Sequence, residues 1–166
     1  MTMWSATPAD VDVVTRLLGR IPEGPFRVVV RRNGRDPVVI ENAPHLNDGT
    51  PMPTLYWLLD PEVRDAVSRV EAAGGVKRYQ EVLDPDLIQA AHDAYRIRRE
   101  SLVERTELPQ PSGGVGGTRK GLKCLHAHLA YFLAGGDDAV GRMVADEVAD
   151  ALLGVALVAD VPVTGF

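Results

Sequence analysis

Apolar residues recur along this chain with two periods, and the change from one to the other marks its elements. After Thr7-Pro8, residues Val11, Val14, Leu18 and Ile21 fall at three- and four-residue steps, the spacing of one helical face. A threonine can accept from the orphan amides of a first turn, and proline is tolerated at the first helical position, so a helix is predicted to start there. It ends around Gly19 to Pro22. From Phe26 the texture turns β-branched: Phe26 to Arg32 and Pro37 to Ile40 flank Asn33-Gly34, which predicts a hairpin. Residues 43 to 53 hold Pro44, Asn47, Asp48, Gly49, Pro51 and Pro53 and read as a structured loop, after which Thr54 to Leu58 is a short third strand. Asp60-Pro61 and Asp84-Pro85 repeat the cap-and-proline device, which predicts helices at about 61–73 and 85–105. Gly74-Gly75 stops the first, and a short helical segment through Tyr79 and Leu83 bridges the two.

Residues 107–118 are rich in glycine and proline and read as an internal loop. Leu122, Leu125, Leu129, Phe132 and Leu133 then mark one face of a helix predicted over 119–134, which Gly135-Gly136 terminates. Asp137-Asp138 can cap a last helix carrying Val140, Met143, Val144, Val148, Leu152 and Leu153 on its core side. The remainder is open between a short strand and a tail, with 160–166 taken as the tail. These elements make a single α+β domain over 1–166, in which a small antiparallel sheet (hairpin plus one strand) packs against about five helices.

Composition narrows the function classes. With 166 residues, 45% hydrophobic and 25% charged, the chain can bury a core, which excludes a disordered tail. Its 18 Lys+Arg against 23 Asp+Glu give a net charge of −5, which argues against nucleic acid or an anionic membrane as partner. Any anion site must therefore be local. One cysteine cannot form an intramolecular disulfide, and the first residues lack the basic and apolar regions of a signal peptide, so the cytoplasm is the expected compartment. No apolar run approaches the roughly 20 residues of a membrane span.

From Leu108 through Gly136 there is no Asp or Glu, yet Arg119, Lys120, Lys123, His126 and His128 all lie there. A glycine loop can aim successive amides at one point, and a helix N-terminus adds unpaired amides and partial positive charge. Gly114, Gly116, Gly117, Thr118, Arg119, Lys120 and Lys123 are thus candidate ligands for phosphate or carboxylate. The competing reading is a mobile connector with solvated cations. A Walker A loop fails, because Gly121 follows Lys120 where Ser or Thr is required, and a dinucleotide fingerprint from Gly114 meets Arg119 where a small residue belongs. On the predicted helix Cys124 and His128 are four apart, with His126 on an adjoining face. Cys124, His126 and His128 are therefore the catalytic candidates, Cys124 as nucleophile or metal ligand and the histidines for proton transfer. The bland reading of Cys124 is a small buried hydrophobe. A structural zinc site needs four ligands, and His45 and His92 lie far off in sequence, so no metal ligand set is assigned. Trp57, Tyr56 and Met52 beside the proline loop line a pocket or anchor the core, and Asp48 and Glu41 are candidate acids opposite the basic helix.

Gly49-Thr50-Pro51-Met52-Pro53-Thr54-Leu55-Tyr56-Trp57-Leu58, Lys123-Cys124-Leu125-His126-Ala127 and Gly136-Asp137-Asp138-Ala139-Val140-Gly141, in that order and spacing, resemble the bacterial, chiefly actinobacterial, domain of unknown function 501 family. The resemblance covers most of the chain. It implies a small cytoplasmic bacterial protein, sometimes labelled as related to septum formation, with no established activity to carry over. Relatives carry a cysteine where Arg31 stands and a cysteine or histidine where Asp60 stands, which implies a metal cluster in them. Arg31 cannot ligate a metal, and Asp60 also serves as a helix cap, so Cys124 and His126 are the matching positions that remain.

Three functions follow as expectations. The first is a pocket for a small anionic ligand, a phosphate- or carboxylate-bearing metabolite, at the 113–121 loop and the N-terminal turns of the 119–134 helix. The second is a non-catalytic protein-interaction module linked to cell division, whose basic helix docks on an acidic protein partner. The third is metal binding through Cys124, His126 or His128, with Asp60 or His45 in support. The cofactor stays unspecified, and the apolar last helix packs internally or forms a homodimer.

Overall fold

The computed structural model describes residues 3–156, so the expected tail at 160–166 lies outside the described residues. The order of elements is α1 (Pro8–Leu18), β1 (Phe26–Arg32), β2 (Asp36–Asn42), β3 (Tyr56–Leu58), α2 (Pro61–Ala72), α3 (Gly75–Val82), α4 (Pro85–Ser101), α5 (Leu125–Leu133) and α6 (Ala139–Glu147). Short 3₁₀ turns occupy Val115–Gly117 and Ala149–Leu152. The fold is α+β, with six α-helices among the described residues around one antiparallel sheet of order β1-β2-β3.

Local chemistry sets the boundaries. Thr7 and Asp10 form a reciprocal capping box, and Asp60, Asp84 and Asp138 each accept from an amide of the helix that follows. Asn33 and Gly34 both take positive φ, at 49° and 69°, which matches the twist of a tight hairpin, and Arg35 N–H donates to the Arg32 carbonyl. β3 is shorter than the expected 54–58 because the Leu55 N–H leaves the ladder and donates to the Tyr95 hydroxyl. The bridging segment is a full helix, α3, and α4 stops at Ser101 rather than 105.

The expected helix over 119–134 is overturned at its start. α5 begins at Leu125, because Gly121 stands at φ 64°, outside any right-handed helix, and Cys124 is extended as the N-cap. Arg119, Lys120 and Lys123 therefore belong to the connecting loop and not to a helical turn.

β2 is covered on both faces. Ile40 packs with Val14, Phe26 and Leu59 under α1, while Val39 joins the main core with Leu55, Val63 and Val67. α5 lies at the centre of that core, with Leu125, Leu129, Ala130 and Leu133 fully buried against β3, α2 and α6. Arg32 ties the hairpin to the start of α2 by bonding Asp60 and to the chain beyond α6 by bonding the carbonyls of Ala151 and Leu153.

The hairpin is pinned to α1 by Arg31, which holds both carboxylate oxygens of Asp10 at 2.9 and 3.0 Å. That bond, chiefly, keeps the Asp10 carboxyl below its ordinary range against the opposing effect of burial. A carboxyl depressed in the folded state contributes stability above its unfolded value of about 4, and the contribution is lost as pH falls through the lower folded value. Asp10→Asn should therefore cost on the order of 1 kcal/mol at pH 7. The gap to the unsubstituted protein should close below about pH 4 in urea unfolding at a series of pH values. A gap independent of pH would assign the effect to the cap alone.

Candidate functional site

Three amides of the glycine loop are taken up inside the protein. Gly114 N–H donates to the Thr118 carbonyl, Gly117 N–H to the Gly114 carbonyl, and Val115 N–H to Nδ1 of His92. Because Nδ1 accepts, Nε2 of His92 donates, and it reaches the Gly121 carbonyl at 2.8 Å. His92 is 2% exposed and clamps both ends of the loop. Gly114 is required there, since a Cβ would lie 2.4 Å from the His92 ring. Thr118 donates its hydroxyl to the Lys120 carbonyl.

Four of the seven candidate anion ligands line two openings, and Gly117, Thr118 and Lys120 line neither of them. Gly114 and Arg119 line a cleft of about 330 Å³ against α4, together with Arg96, Arg99 and Glu100. Gly116 and Lys123 line a larger cleft of about 800 Å³. Its walls are the end of α1 with Arg20, β3 with Tyr56 and Trp57, the outer face of α2 with Arg64, Asp65 and Ser68, and the start of α5 with Cys124 and His126. Among the described residues, Arg64 and Lys123 have no carboxylate within ion-pair distance, whereas Arg20 pairs with Glu23 and lies over the Trp57 ring.

Cys124 and His126 meet at the start of α5. Burial pushes the Cys124 thiol up, but bonding to the His126 side chain and to the Ala127 amide outweighs it, leaving the thiol more acidic than usual. His126 moves the other way: its bond to Cys124 and the nearby Glu71 carboxylate hold its proton more firmly, against burial. Glu71, on α2, accepts the first amide of α5, Leu125 N–H, at 2.8 Å, and its Oε1 is 3.3 Å from His126 Nδ1. His126 Nε2 faces the Arg64 carbonyl at 3.2 Å and the Ser68 hydroxyl at 3.1 Å. One donor atom each from Glu71, Cys124 and His126 thus lies within 4.8 Å of the others.

The remaining candidates are elsewhere. His128 is fully buried, bonding Asp138 through Nδ1 at 2.6 Å, with its ring 5.7 Å from that of His92. Its place four residues after Cys124 does not bring it to the cleft, because Cys124 is the cap and not a helical residue. His45 is buried against the Pro109 carbonyl, and Asp60 is held by Arg32 while capping α2. Glu41 is buried between Arg27 and Arg98, and Asp48 bonds the Thr50 amide. Glu71 went unassigned from sequence, since nothing in its spacing points to the Cys-x-His pair.

The fold and this cleft define a small α+β protein whose one cysteine and one accessible histidine share an opening with two cations that have no carboxylate partner among the described residues. The chain matches the family model described as "Protein of unknown function (DUF501)" over residues 28–146, and it belongs to that family. The match takes in most of the hairpin, the cleft walls on β3 and α2 and the start of α5, while the α1 wall with Arg20 precedes it. No curated protein and no solved structure matches it. No helix among the described residues is long and apolar enough to cross a membrane.

Proposed function

We propose that the larger cleft binds a small phosphate- or carboxylate-bearing metabolite, held by Lys123 and Arg64 beside the Cys124–His126 pair. The observation that carries this reading is that two cations from different elements border one 800 Å³ opening without a carboxylate partner among the described residues. In an acidic chain a cation left unpaired beside a concavity is a direct attraction for an anionic ligand. Tyr56 and Trp57 offer apolar walls for the rest of such a molecule. The seat moves to these side chains from the loop amides, of which those of Gly114, Val115 and Gly117 already have partners in the protein. His126 is the histidine at the ligand's edge.

Calorimetric titration of the protein with inorganic phosphate, pyrophosphate and citrate tests the reading. At least one is expected to bind, and Lys123→Glu or Arg64→Glu should weaken it tenfold or more, about 1.4 kcal/mol per tenfold. Arg119→Glu, on the smaller cleft, should leave it unchanged. Binding lost in Arg119→Glu but kept in the other two would move the site to α4, and no binding of any probe would remove the reading.

A further inference from the structure

We infer that Glu71, Cys124 and His126 are the protein ligands of a transition-metal site at the edge of the large cleft, with a further coordination position open to it. Thiolate, imidazole and carboxylate are the three donor types that zinc accepts, and sulfur with nitrogen favours zinc or cobalt over magnesium or calcium. Bonds of 2.0–2.3 Å to a tetrahedral ion place its ligand atoms about 3.3–3.8 Å apart. The observed donors span 3.3 Å between Glu71 and His126 and no more than 4.8 Å overall, so modest side-chain movement closes the set.

The outer contacts are those such a site needs. With its Nε2–H donating to the Arg64 carbonyl, the neutral imidazole turns the lone pair of Nδ1 toward Glu71 and Cys124. In the metal-free protein a proton between Nδ1 and the carboxylate relieves their repulsion, and a bound cation takes the place of that proton. Glu71 is itself anchored by the Leu125 amide, so the ligands come from α2 and from the cap and first turn of α5, which pack together. Three protein ligands and an open side are the arrangement in which a bound ion also takes an exogenous oxygen. Cys124 and His126 line the cleft, so that side faces the opening bordered by Lys123 and Arg64. The inference does not depend on the anion reading: the ion is tested alone, in the absence of phosphate or any other candidate ligand.

The full chain, without a histidine tag and stripped by chelator, should bind one equivalent of Co²⁺ and develop a thiolate-to-cobalt charge-transfer band in the near ultraviolet, with visible bands of a four-coordinate ion. Zn²⁺ should displace it. Cys124→Ser should abolish the charge-transfer band, and Glu71→Gln and His126→Ala should each weaken Zn²⁺ binding at least tenfold. Asp65→Asn, on the same cleft but outside the ligand set, should not. Circular dichroism identifies any variant that fails to fold, and the band in the unsubstituted protein stands independently of the variants. No charge-transfer band, or Zn²⁺ affinity in Cys124→Ser and His126→Ala unchanged from that of the unsubstituted protein, would reduce the cluster to a hydrogen-bonded contact between α2 and α5. Loss in Cys124→Ser alone would overturn the three-ligand assignment.

Discussion

Glu41→Ala is expected to destabilise the protein by about 3 kcal/mol or more. The Glu41 side chain is 1% exposed and takes Arg27 at 2.6 Å, Arg98 at 3.0 Å and the Tyr56 hydroxyl at 2.5 Å. Removing it leaves two guanidinium groups and a phenol without their shared acceptor. Arg27 and Arg98 keep 30% and 19% of their side-chain surface in water, which lets them recover some solvation and holds the loss near the lower end of the 3–5 kcal/mol seen for broken buried pairs. At 2–4 °C per kcal/mol for a chain of this length, the melting temperature should fall by roughly 6–12 °C. Glu41→Gln keeps the volume and one acceptor oxygen and should recover part of the loss. The same carboxylate fixes Tyr56, a cleft wall, so Glu41→Ala should weaken any cleft ligand as well. A shift within about 0.5 kcal/mol of zero would mean that this buried cluster adds no net stability.

Elements with a local cause were legible in the sequence. Thr7-Pro8, Asp60-Pro61 and Asp84-Pro85 start helices through bonds spanning two or three residues, and Asn33-Gly34 makes its turn with its own backbone. The error at α5 has a local origin too. The apolar period through Leu122 and Leu125 looks helical, but Gly121 takes a left-handed φ and Leu122 N–H bonds Gln80 on α3, so tertiary contacts displace the first helical turn. One shift of start site moves Cys124 from a helix face to a cap, and with it the inferred pairing with His128.

For the site, residue type was legible and direction was not. The acid-free stretch does hold Lys123, Cys124 and His126, which reach one cleft, and His126 and Cys124 do meet. Their third neighbour, Glu71, is 54 residues before Leu125, and only the packing of α2 on α5 brings it there. The amides of the glycine loop illustrate the opposite failure. Glycines permit an anion-cradling loop, but His92 on α4 captures Val115 N–H and the Gly121 carbonyl, and nothing in the loop's own composition announces that clamp.

His128 supplies the second large effect, through its partner. Asp138 accepts the His128 ring at 2.6 Å with one oxygen and the Gly141 amide of α6 at 2.9 Å with the other, and both side chains are fully buried. Nε2 of His128 has no partner among the described residues, so Asp138 is the imidazole's polar contact within them. Asp138→Ala removes a helix cap worth about 1 kcal/mol. It also strands a buried ring nitrogen and an amide at about 1–3 kcal/mol each. Together these predict a loss of about 3 kcal/mol or more, seen as a fall in melting temperature of roughly 6–12 °C. Asp138→Asn offers one oxygen for two donors; it caps as well as aspartate but cannot serve both, so its loss should be intermediate. In a His128→Leu background, Asp138→Ala should cost only the cap, giving a coupling energy of about 1 kcal/mol or more in the double-mutant cycle. Additive losses would show that the two side chains stabilise the α5–α6 junction independently, and a cleft ligand bound normally by folded Asp138→Asn would separate this buried histidine from the chemistry at His126.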